Sequence, residues 1–158
     1  MSWAWPLPGI ARATSPEGAF GVVRKHDIHT GIDLYAPENA TVVAVEAGRI
    51  VNVVPFTGAL AESPWWLDTS AVLVEGASGV VCYGEVWPRY PCVVGAGIAA
   101  GERIGRVQRV LRVDKGRPMS MLHLELYEAG TREPIWWPLG VERSPILLDP
   151  TPFLPETP

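Results

Sequence analysis

Histidine is scarce in this chain, with three among 158 residues, at positions 26, 29 and 123. Cysteine is scarcer still, and Cys82 and Cys92 show no Cys-x-x-Cys spacing. A disulfide between them is geometrically allowed, but buried free thiols are the simpler reading. No run of like charge interrupts a net charge of −4, so no basic patch for nucleic acid is expected. An acidic partner is left open without being required. No apolar stretch nears the roughly 18 residues of a membrane span. The start, Trp3-Ala4-Trp5-Pro6-Leu7-Pro8, lacks the basic head and unbroken apolar stretch of a signal peptide. The expectation is a cytoplasmic protein, or one released by another route such as a phage particle or cell lysis.

Glycine and proline, by contrast, are plentiful at sixteen each, which leaves little room for long helices. A hydrophobic content of 47% argues for a folded core, and the length suits one domain over residues 1–158. Apolar, β-branched runs alternate with turn residues. Residues 41–45 lead through Gly48 into 49–54, and 71–74 lead through Gly76-Ala77-Ser78-Gly79 into 80–83. This is the pattern of strands in hairpins. Residues 119–127 are good helix formers, yet Leu122, Leu124 and Leu126 alternate strictly with His123, Glu125 and Tyr127. A period of two puts the leucines in a core and the others on the opposite face, so we read a strand. The fold expected is all-β and antiparallel, a small two-sheet sandwich or partly open barrel with a groove. Residues 56–69 and 130–145 read as long loops carrying Trp65-Trp66 and Trp136-Trp137. These tryptophans wall a groove or else cover sheet edges.

The chemistry-bearing residues fall in two places. His29-Thr30-Gly31-Ile32-Asp33 sets an imidazole and a carboxylate four residues apart, and His123 follows ninety residues later. Two imidazoles and one carboxylate, with a fourth position open to water, make a common ligand set for catalytic zinc. Glu125 either orients a ligand from behind or is an exposed carboxylate or a partner for a nearby arginine. His26 is a solvated loop residue, or a substitute donor or ligand. Arg24 and Lys25 read as a solvated loop or as attractors for a substrate carboxylate.

The chain resembles the lysostaphin-type zinc endopeptidases, which cut peptide cross-bridges of bacterial cell walls. The resemblance runs in order through Trp5-Pro6-Leu7-Pro8-Gly9, Phe20-Gly21, His29-Thr30-Gly31-Ile32-Asp33-Leu34 and Ala36-Pro37. It continues through Val43-Ala44, Gly48-Arg49-Ile50-Val51, Gly101-Glu102-Arg103-Ile104-Gly105, Leu122-His123-Leu124-Glu125 and Asp149-Pro150-Thr151-Pro152-Phe153-Leu154. It implies a small antiparallel β groove with Zn2+ held by His29, Asp33 and His123, and peptidoglycan or a related peptide as substrate. The departures are specific. Family members carry a catalytic histidine in a Tyr-x-His segment, where this chain has Tyr83-Gly84-Glu85. They carry a second one two residues before the last ligand, where this chain has Met121.

Glu85 is then the candidate base and acid, since a carboxylate does that work in other zinc peptidases. Met121 carries no useful proton, so an oxyanion donor must come from Arg117, Lys115 or Tyr83. Three classes follow: a zinc endopeptidase, a zinc-containing binding module that does not cut, and a structural component, for example of a phage particle.

Overall fold

The computed structural model describes residues 3–156. Among these residues nine strands form: β1 (Ile32–Tyr35), β2 (Thr41–Val43), β3 (Gly48–Thr57), β4 (Thr69–Gly76), β5 (Gly79–Pro88), β6 (Gly97–Ile98), β7 (Arg103–Val107), β8 (Met121–Tyr127) and β9 (Leu147–Leu148). Helical structure among the described residues is confined to three short 3-10 turns, Pro16–Gly18, Ala59–Ala61 and Thr151–Phe153. All nine strands are hydrogen-bonded into one antiparallel, unclosed sheet, the open form of the expected architecture. The order β1-β8-β5-β4-β3-β6 forms its spine, and β2 joins through β7.

Residues 119–127 do resolve into a strand, and their alternation has the expected effect. Leu122, Leu124 and Leu126 enter the main core with Ile32, Leu34, Val81 and Tyr83. Each such side chain removed from water stabilises the fold by about 1.5–3 kcal/mol. On the other face a smaller cluster gathers Tyr127, Cys82, Val80, Leu73 and Ala71. β8 is therefore apolar on one face and carries His123 and Glu125 on a face that is also covered. Both cysteines are free thiols, Cys82 buried and Cys92 partly so.

The loop expected at 56–69 is shorter than the sequence suggested. The β3–β4 ladder runs on to a Thr57–Thr69 pair, whose hydroxyls lie 2.7 Å apart. That hydrogen bond and the burial of both threonines extend the hairpin past Phe56.

The feature that positions the site is a fork in the sheet. On one edge β5 pairs with β8 through Val80–Gly84 and with β7 through Val86–Pro88. The residue between these ladders is Glu85. On the opposite edge, Ser70 faces Val86 and Ala71 faces Gly84, so Glu85 is the extra residue of a β-bulge. Its φ of 64° is left-handed, a conformation that costs a non-glycine residue on the order of 1 kcal/mol. Bulges of this kind re-aim a side chain and end a stretch of pairing.

Candidate metal centre

Asp33 of β1 and His123 of β8 face each other directly in the ladder, and Gly84 of β5 faces His123 on the other side. Residues opposite one another across strands share a face, so this register delivers a carboxylate and an imidazole to one point. His29 precedes β1 and is fixed by its backbone, which exchanges hydrogen bonds with Gly21 and Val22 at 2.9 and 3.0 Å. Gly31 between them is required by space. A Cβ there would lie 2.3 Å from the Leu124 carbonyl oxygen and 3.0 Å from His123 Nε2.

The three ligand atoms form a tight triangle. His123 Nδ1 lies 2.9 Å from Asp33 Oδ1 and 3.2 Å from His29 Nε2, and His29 Nε2 lies 3.3 Å from Asp33 Oδ1. Each residue is only 5% exposed. The outer nitrogens each have an acceptor. His29 Nδ1 lies 3.0 Å from the Ala19 carbonyl and donates to it, leaving a lone pair on Nε2. His123 Nε2 donates to Glu125 Oε2 at 2.9 Å, so a deprotonated ring turns its lone pair on Nδ1 inward. With His123 deprotonated, two lone pairs and a carboxylate oxygen converge on one point, which a cation relieves: a metal ion, or the proton that His123 Nδ1 otherwise donates to Asp33 Oδ1. Ligands about 2.05 Å from a tetrahedral zinc stand roughly 3.3 Å apart, close to these separations. The residues fit a divalent cation.

Without a metal, a proton on His123 takes that place. Burial alone would raise the Asp33 carboxyl, but the hydrogen bonds and charges of His123 and His29 outweigh it and hold it low. Burial alone would lower His123, but Asp33 and Glu125 outweigh it and hold the ring well above its ordinary range. The cluster attracts positive charge.

Behind the ligands stands a supporting layer only partly foreseen. Glu125 is 1% exposed and accepts hydrogen bonds from His123, from the Thr30 hydroxyl and from Tyr127 Oη at 2.7 Å. The reading of Glu125 as an exposed carboxylate is corrected by these contacts. Burial alone would raise its carboxyl, but His123, Thr30 and Tyr127 together hold it below the usual carboxylate range. Arg24 is likewise no idle loop residue. Its Nη2 donates to Asp33 Oδ2 at 3.2 Å and to the Glu17 carbonyl at 2.7 Å. Phe56 packs beside the His123 ring at 5.2 Å and over Gly84, where a Cβ would meet it at 2.7 Å.

Glu85 belongs to this neighbourhood. Its Oε2 is shut off from solvent and is the sole buried side-chain polar atom without a hydrogen-bond partner among the described residues. Burial first, and the nearby Asp33 charge second, push its carboxyl up to about 8, against the pull of His123 and Arg24.

Other expected site residues lie elsewhere. Tyr83 faces Leu124 in the ladder, which puts it on the core side of the sheet. There its hydroxyl accepts from the Val45 N–H at 2.9 Å, so it is not an oxyanion donor at this site. Arg117, Lys115 and His26 are exposed and make no contact with the cluster. Met121 is half-buried, two residues before His123 on the same strand. Trp65 is 63% exposed and packs edge-on against the half-buried Trp66. Trp137 packs against Phe20, and Trp136 Nε1 donates to Asp27.

Structural comparison assigns the architecture. A protein assigned to the M23 peptidases from Pseudomonas aeruginosa superimposes with a TM-score of 0.57 at 15% identity, over 96% of this chain and 49% of that one. Csd3 of Helicobacter pylori gives 0.55 at 20%, over 92% and 36%. A zinc-containing peptidase from Vibrio cholerae gives 0.54 at 19%, over 79% and 36%. The chain shares the M23 peptidase fold. It spans half or less of the length of these three proteins. No protein-family model and no curated protein sequence matches it. Among the described residues, no helix is long and apolar enough to cross a membrane.

Proposed function

We propose that this protein is a zinc-dependent peptide hydrolase in which His29, Asp33 and His123 hold the metal and Glu85 moves the proton. The observation that carries this reading is the Glu85 carboxylate: on a half-buried residue, with Oε2 shut off from solvent and unpartnered, and held at a strained bulge beside the ligand cluster. A buried polar atom without a partner costs about 1–3 kcal/mol, and such groups gather where function requires them. Glu85 stands where the resemblance places a catalytic histidine.

When bound, zinc polarises a peptide carbonyl and lowers the pKa of water to about 7. Glu85 Oε2 accepts a proton from the attacking water and returns it to the leaving amine nitrogen. A carboxyl poised near neutrality can do both, and transfer of this kind contributes about 10²–10⁴-fold. Arg24 fixes the outer oxygen of Asp33, and Glu125 fixes the His123 ring with Nδ1 inward. Met121 supplies no oxyanion donor, and loss of one such donor costs on the order of 10²–10³ in turnover. The expected activity is therefore slow. The cross-bridge peptides of peptidoglycan are the substrate the sequence resemblance implies.

Met121 also favours a second reading, a zinc-containing module that binds its ligand without cutting. Zinc-loaded protein separates the two when assayed on cell-wall material and on short peptides, beside Glu85→Gln and His123→Ala. Zinc-dependent cleavage lost in both variants supports the hydrolase. No cleavage of any substrate at full zinc occupancy leaves the binding module.

A further inference from the structure

The segment joining β7 to β8 carries Arg109, Arg112, Lys115 and Arg117 within nine residues of a chain whose net charge is −4. No two are adjacent, so they form no run of like charge, yet all four fall on one loop. All four are exposed, and none forms an ion pair among the described residues. The one carboxylate among them, Asp114, is turned back onto the Gly116 N–H at 2.8 Å.

Two hydrogen bonds fasten this loop to the tryptophan loop. Arg112 Nε donates to the Pro64 carbonyl at 3.3 Å, and the Leu67 N–H donates to the Val110 carbonyl at 2.9 Å. Trp65 and Trp66 lie between those anchors, so the exposed indole of Trp65 is carried on the stretch tethered to Arg112. The loop is also tied to the site. The Gln108 N–H donates to the Glu85 carbonyl at 3.1 Å, and the loop re-enters the sheet at Met121 in the strand that carries His123.

We infer that this rim, Arg109, Arg112, Lys115 and Arg117 with Trp65, binds a carboxylate-bearing peptide segment and leads it to the site. Unpaired clustered cations repel one another, and a ligand carrying negative charge relieves that repulsion. The exposed tryptophan adds a flat apolar surface for the intervening chain. A short acidic peptide fits better than a long polyanion, because the remainder of the molecule is acidic and would repel continuous charge. The inference rests on the peptide-hydrolase reading for its choice of ligand, but binding is measured apart from cleavage.

The test is fluorescence anisotropy of a labelled oligo-glutamate on the whole protein, with and without zinc. The loop variant Arg112→Gln/Lys115→Gln/Arg117→Gln and Trp65→Ala are measured beside it. Expected are saturable binding that weakens with added salt, a loss of about tenfold or more in the loop variant, and a smaller loss in Trp65→Ala. Absence of binding to native protein at low salt overturns the inference, and so does binding unchanged in the loop variant. Tighter binding of heparin or a single-stranded oligonucleotide overturns the choice of peptide. Should the protein bind oligo-glutamate yet cleave nothing, the rim stands and the hydrolase reading falls.

Discussion

Glu125 is buried and Glu85 half-buried with one oxygen shut off from solvent; both lie within electrostatic reach of His123, and their surroundings drive them in opposite directions. Glu125 sits mid-strand in β8 with donors from His123, Thr30 and Tyr127, and these keep it ionised despite burial. Glu85 sits at the fork of β5, with Oε2 unpartnered and its carboxyl pushed up to about 8. A satisfied carboxylate holds things in place, whereas an unsatisfied one near neutrality can exchange a proton. Carboxyl groups pushed apart in acidity commonly divide structural and acid–base work in this way.

The comparison breaks most visibly if the roles are not separable. Glu85→Gln should lower kcat/KM of the zinc-loaded protein by about 10²–10⁴-fold while leaving zinc content unchanged. Equal turnover in native and variant protein would remove Glu85 from the chemistry.

A stability measurement in chelator-treated protein sharpens the same point. Because the folded carboxyl titrates near 8 and the unfolded one at 4.5, the native state holds a proton that the unfolded state has lost between those values. Glu85 therefore favours the folded state fully below 4.5, and that contribution is lost as the pH rises through 8. Relative to Glu85→Gln, native protein should lose stability across this window by on the order of 5 kcal/mol. Parallel denaturant titrations at the two ends would show it, and a difference that does not change with pH would contradict it.

Glu125→Gln should act on the metal instead. Removing the charge behind His123 should weaken zinc affinity by about 10–100-fold in chelator competition. The smallest effect concerns the backbone. At position 85, glycine should be more stable than alanine by about 1 kcal/mol, because only glycine takes a φ of 64° without strain. Thermal denaturation of the Glu85→Gly and Glu85→Ala pair measures that difference.

Much of this was legible in the chain itself. The alternation in β8 shows which residues share a face, and the spacing of His29 and Asp33 around Gly31 marks two candidate ligands. What the sequence does not carry is cross-strand register. Tyr83 sits two residues before Glu85 and so looked like a neighbour of the site. Its partner in β8, however, is Leu124 rather than His123, and that one-residue difference sends it to the core. Glu125 shares the face of His123 by simple alternation, which was the available signal, yet its burial depends on β5 and on Thr30. The bulge at Glu85 arises because β5 changes partners there, a property of the assembled sheet. Arg24 reaches Asp33 through the fold of the segment before His29, and no local pattern announces it.

The central claim is that three side chains brought together from β1, β8 and the segment before β1 hold one divalent cation. Elemental analysis of purified, zinc-reloaded and extensively dialysed protein tests it most directly. The account predicts close to one zinc per chain in native protein, retained in Glu85→Gln and lost in His123→Ala. Native protein that retains none, or His123→Ala protein that retains as much as native, would contradict it.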